Sequence, residues 1–222
     1  MDRKGGTFLL RKFQELIYRH IKGNIIIYFF VCLFFMIGIS AGVFTVKALS
    51  DYQKQELISY MRSFFQVLQS NPVDEFSVLK QSLVNNLQTG ILIWLLGITD
   101  VGFPLILLLV AIRGLIIGFT VGFLIEQMSW RGILFSLCSV LPHNLLIIPS
   151  ILVISVIGVS FSIMLIKNKL QKHYPYHQPS IFKQFIYYSS IIFMIFIVIV
   201  IGCLIEAYIT PVFMKVISKY MY

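Results

Sequence analysis

Six polar residues, Asn85-Asn86, Arg113, His143-Asn144 and Glu206, stand inside long apolar stretches of this chain. At membrane depth each is expensive, so each needs a partner or a task. An arginine, a histidine and a glutamate can hold a polar solute, relay a proton, or pair with one another in a dry network. A bland account exists for each. Pro142 frees a carbonyl one turn earlier that His143 can satisfy, Arg113 can snorkel, and Glu206 can sit at the interface. Counting from the ends of the stretches puts Asn85, Asn86 and Glu206 at similar depth, which predicts that an asparagine holds Glu206. As four scattered sites, these groups form no recognisable pathway. The expected reading is a structural polar network of Asn85, Asn86, Arg113, His143, Asn144 and Glu206. The alternative is a small membrane permease or channel using Arg113, His143 and Glu206, which requires them to line one solvated cavity.

Enzymatic chemistry has little to work with. The sequence contains no HExxH, Walker lysine loop or CxxC, and its one Gly-x-Ser-x-Gly string, Gly38 to Gly42, lies inside an apolar stretch rather than at a strand-to-helix turn. Intramembrane proteolysis needs paired aspartates, a Ser/His pair or a zinc motif within the spans. His143 is the only histidine in an apolar stretch, and Asp100 falls at a turn. Cys32, Cys138 and Cys203 are far apart and odd in number, as small packing residues rather than a disulfide or zinc set. No catalytic, cofactor-binding or metal-ligating residue is expected, and no cofactor.

The elements that must position the polar residues are the apolar stretches themselves: Ile25–Val46, Leu83–Ile125, Ile133–Ile166 and Ile181–Tyr208. A span needs roughly 20 mostly apolar residues. Lipid offers the backbone no hydrogen bonds, so such stretches must be helices. With 58% hydrophobic residues and a mean hydropathy of +0.88, the 222-residue chain is no ordinary soluble domain. The expected fold class is all-α, a polytopic transmembrane helical bundle of about five spans. Residues 132–166 are ambiguous. As one straight helix they would extend about 50 Å, and Pro142 and Pro149 interrupt them. They form either one kinked span or a partial outer segment followed by a full span.

The net charge of +9 does not indicate nucleic acid. It is concentrated in residues 1–24 and in the connector 166–184, whereas the loop after the first span is near neutral. Two basic blocks beside a neutral loop fit the positive-inside rule, placing the N-terminus in the cytoplasm and the excess charge against anionic lipid. The expected organisation is a basic amphipathic cytoplasmic segment (1–24, with a surface helix over 8–22), a single bundle (25–210) with an outer helical elbow (49–81), and a tail (211–222). Ser50-Asp51-Tyr52-Gln53 has capping-box form, and Asn71-Pro72 reads as a second helix start. Leu57, Tyr60, Phe64, Phe65 and Leu68 make an apolar stripe on the elbow, a candidate docking surface that could instead lie on the bilayer. Gly38 and Gly42, and Gly114, Gly118 and Gly122, have the spacing that lets helices approach closely. Packing inside one bundle is the expected use, with self-association the alternative.

Taken in order, several of these positions carry a resemblance. Asn85-Asn86, Gly97, Arg113-Gly114 with Gly118, Leu141-Pro142-His143 and Ile205-Glu206-Ala207-Tyr208-Ile209-Thr210-Pro211 resemble the stage II sporulation protein M family. Phe34-Phe35-Met36-Ile37-Gly38 followed by Gly42 is similar to its endospore-forming members. The resemblance implies a non-enzymatic membrane scaffold at the sporulation septum and engulfing membrane. It would anchor two peptidoglycan hydrolases, stage II sporulation proteins D and P, for forespore engulfment. Many wider-family members have a glycine after the Pro-His pair and a glutamate three residues beyond that glycine, where this chain has Asn144 and Ile147. They also have Asn-Gly in place of Arg113-Gly114. No role of that glutamate carries over.

Overall fold

The computed structural model describes residues 21–70, 74–170 and 181–214. Among them are seven principal helices and no strand. Helix α1 spans Ile25–Ala48, α2 Asp51–Ser70, α3 Glu75–Gly97, α4 Gly102–Met128, α5 Trp130–Ser139, α6 Leu141–Leu170 and α7 Ile181–Tyr208, with helix resuming to Met214. The surface helix expected over 8–22 falls almost wholly outside the described residues, as does the helix start expected at Asn71-Pro72.

Four helices, α1, α4, α6 and α7, are long and apolar enough to cross a membrane. Helix α3 falls short in hydropathy because it carries Gln81, Ser82, Asn85, Asn86, Gln88 and Thr89. It nevertheless runs antiparallel along α7, from Ser82 beside Glu206 to Trp94 beside Ser189. The bundle therefore has five lengthwise passes, in agreement with the expected number. One end holds the tight turn 98–101, where Lys169 pairs with Asp100. The other holds α2, the elbow, and α5.

Local chemistry accounts for the breaks. Ser50 and Gln53 cap α2 reciprocally: the Ser50 amide donates to Gln53 Oε1 at 3.0 Å, and the Gln53 amide to Ser50 Oγ at 3.4 Å. The ambiguous block 132–166 resolves into two segments, short α5 and full-length α6, with the break at Val140. Ser129 has φ 50°, a left-handed value unusual for a residue with a side chain, and it folds α5 back onto α4. That fold needs Gly132, where a Cβ would meet the Leu124 carbonyl.

The core lies between α3, α4, α6 and α7 in the half nearer the turn. Ile93, Ile106, Ile154 and Ile199 are all 0% exposed. The Tyr188 ring stacks on Phe161 at 4.4 Å, and its hydroxyl donates to the Trp94 carbonyl at 2.9 Å. Phe29, Phe44, Phe193 and Met194 point outward, as a lipid-facing surface requires. At the elbow end, Leu124 and Phe135 pack with Met61, Met128 and Met214 into a small separate cap.

Candidate functional site: a polar cavity between four helices

Above the isoleucine core, on the elbow side, lies a cavity of about 280 Å³. Helix α3 contributes Ser82, Asn85 and Asn86; α4 contributes Arg113 and Thr120; α6 contributes His143 and Asn144; α7 contributes Glu206. All six polar residues singled out from the sequence therefore line one space. Helix geometry explains the grouping on α3, because Ser82 and Asn86, four apart, share a face.

Arg113 does not snorkel. Its guanidinium lies across to α3 and donates to the Asn85 carbonyl at 2.8 Å, to Asn86 Oδ1 at 3.3 Å and to Thr89 Oγ1. These acceptors fix the Asn86 amide with its oxygen toward the arginine. Its nitrogen then donates to the Ser82 carbonyl at 3.0 Å, and it lies 3.6 Å from Cys203 Sγ. The Ser82 hydroxyl in turn donates to Glu206 Oε2 at 2.5 Å. A relay thus runs from Arg113 through Asn86 and Ser82 to Glu206, tying α4 to α3 and α3 to α7.

Glu206 is accordingly held by Ser82, one step removed from the expected asparagine partner. Serine is also the residue that reading by charge and amide type overlooked, although its place one turn before Asn86 was visible. Thr89, Thr120 and Thr210 were missed for the same reason. Arg113 and Glu206 make no direct ion pair. The ion pairs among the described residues are Lys54 with Glu126 and Lys169 with Asp100.

His143 satisfies neighbouring side chains rather than a proline-freed carbonyl. Asn144 donates to the Val140 carbonyl at 2.8 Å, which turns its amide nitrogen toward His143 Nε2 at 3.0 Å. Nε2 must therefore accept, so Nδ1 carries the proton and donates to Thr210 Oγ1 at 3.4 Å. The imidazole thereby connects the start of α6 to the end of α7. Among the described residues no group of His, Cys, Asp or Glu side chains is arranged to hold a metal ion.

The elbow stripe is separate from this cavity. Lys54 pairs with Glu126 of α4 at 2.8 Å, and Met61 packs into the cap, so α2 is fastened to the bundle end. Leu57 is half-buried and Tyr60 exposed, while the side chains of Phe64, Phe65 and Leu68 lie outside those described. Compared with known proteins, the chain matches the family model described as Stage II sporulation protein M over residues 31–211. No curated protein and no solved structure matches it.

Proposed function

The chain belongs to the stage II sporulation protein M family, and on that premise we propose that it is a non-enzymatic scaffold in the sporulation septum and engulfing membrane. It is a multi-pass sporulation membrane protein. In the proposed role it anchors the peptidoglycan hydrolases, stage II sporulation proteins D and P, on the wall side of the membrane. The observation that carries the reading is the elbow. Helix α2 is a 20-residue helix outside the spans, fastened by Lys54 and Met61, with Tyr52 and Tyr60 exposed. A docking surface of this kind is fixed at its base and presents Tyr52 and Tyr60 among polar residues such as Gln55, Glu56 and Arg62 on its free side. The permease alternative meets one of its requirements, since Arg113, His143 and Glu206 line one cavity, but no continuation of that cavity toward the turn end supports it. Beneath the polar cavity, Ile93, Ile106, Ile154 and Ile199 seal the space between the helices toward the turn end.

The scaffold reading is tested by affinity capture of the full chain from sporulating cells. Both hydrolases are expected to co-purify. Phe64→Asp with Leu68→Asp should release them while the protein still inserts. Failure to recover either hydrolase with the unaltered chain sinks the reading, and retention by the double variant moves docking to the spans.

Orientation is a second expectation. Lys22, Lys167, Lys169 and Lys183 gather at the turn end and continue the basic sequence blocks 1–24 and 166–184, whereas at or near the elbow end Lys47, Lys54, Arg62, Lys80 and Arg131 are matched by Asp51, Glu56, Asp74, Glu75 and Glu126. On the proposed reading the turn end faces the cytoplasm, which the positive-inside rule supports. Reporters fused after Lys172 and after Tyr222 should fall on opposite sides of the membrane. Reporters on one side would contradict an odd number of passes.

A further inference from the structure

Arg113 and Glu206 line the polar cavity as one positive and one negative charge, close enough to attract each other but not paired. Arg113 donates only to neutral acceptors, a backbone carbonyl, an amide and a hydroxyl. Glu206 accepts from one hydroxyl. No carboxylate lies within ion-pair distance of the arginine among the described residues. These two opposite charges attract across the cavity without touching, and charges removed from water are better compensated by direct contact. His143 and Asn144 are already bonded to each other, to Thr210 and to the Val140 carbonyl. They shape the wall and leave the space between the two charges open.

We propose that this cavity is a binding site for a small zwitterion of the amino-acid type, its carboxylate meeting Arg113 and its ammonium meeting Glu206. The charge balance selects this class. An anion alone would leave Glu206 unanswered and a cation alone would leave Arg113, whereas a molecule bearing both keeps the site neutral. Size agrees with it. The volume of about 280 Å³ is several times the roughly 30 Å³ share of a water molecule. It sits at the lower edge of small-molecule pockets, about 300–1,000 Å³. Access is from the flank between α3 and α4, where the lining residues Asn85, Ile116 and Thr120 are exposed. The core closes the opposite side, so the site binds without conducting. It is independent of the elbow and of the scaffold role.

The test uses the full chain purified in detergent and a series of probes with increasing charge separation: glycine, β-alanine, γ-aminobutyrate and 5-aminovalerate. Equimolar acetate plus ethylamine supplies the same two charges on separate molecules. Thermal unfolding is followed by size exclusion after heating. At least one member, at ten times its dissociation constant, should raise the midpoint by about 3 °C or more, with an optimum in chain length. The acetate and ethylamine mixture should not. Arg113→Gln and Glu206→Gln should each abolish the rise, and Lys54→Gln should leave it intact. Ile116→Trp, which narrows the flank without removing a charge, should also abolish it and keeps the test decisive where a Gln variant does not accumulate. If no member of the series exceeds the mixture, or if the rise survives Arg113→Gln, the site is overturned and the cavity holds only water.

Discussion

Gly118→Val is expected to prevent the bundle from assembling, whereas Gly122→Ala, one turn further along the same helix, is expected to be tolerated. The difference lies in what each new atom meets. Helices α1 and α4 run side by side in the same direction and make the most extensive helix pair in the structure. Their glycines interleave: a Cβ at Gly118 would strike the backbone carbonyl of Ile39, one at Gly114 that of Phe35, one at Gly38 that of Ala111, and one at Gly42 that of Leu115. Backbone cannot rotate aside as a side chain can, so the helices would have to separate. In lipid there is no hydrophobic drive to compensate for the lost contact. Overpacking typically costs 1–3 kcal/mol, roughly, and more where no rotamer relieves it. At Gly122 the nearest atom to a new Cβ is Val43 Cα at 3.3 Å, and the next are side-chain methyls at 3.5 Å, for which a change of about 0.5 kcal/mol is expected. Fluorescence-detected size exclusion of tagged variants reads the result. If Gly118→Val is as abundant and monodisperse as Gly122→Ala, α1 and α4 are not in contact as described. Because these glycines are occupied within the chain, any self-association uses another face.

Tyr188→Ala should be nearly as damaging, by the opposite mechanism. Tyr188 is 3% exposed, stacks on Phe161 and places its hydroxyl on the Trp94 carbonyl in the last turn of α3. Carbonyls at a helix end lack intrahelical partners, so the tyrosine both fills the core and closes α3. Gly97 is what allows the phenol in, since a Cβ there would meet the Tyr188 oxygen. Truncating a buried aromatic to alanine costs about 3–5 kcal/mol, a fall of roughly 10 °C in the unfolding midpoint for a chain of this size. Tyr188→Phe removes only the hydrogen bond, worth about 1 kcal/mol. The Ala and Phe variants should therefore separate clearly in a thermal series. Equal losses would mean that the hydroxyl, rather than the ring, supports this part of the core.

Sequence alone determined that the chain is a helical membrane protein. It also located the elbow and its capping box, and marked Asn85, Asn86, Arg113, His143, Asn144 and Glu206 as residues that need an explanation. Those properties are local: span length follows from hydrocarbon thickness, a cap from four consecutive residues, and the cost of a polar group from the apolar stretch around it. Tertiary structure decided that the six meet in one cavity, that Ser82 rather than an asparagine holds Glu206, and that α1 pairs with α4. It also decided that 132–166 divides at Val140. Helices α1, α4, α6 and α7 are apolar on nearly every side, so their sequences carry almost no pattern that says which face turns inward. In lipid, that rotation is set by where small residues let backbones approach and polar groups find partners. Both are properties of helix pairs, and a single strip of sequence does not display them.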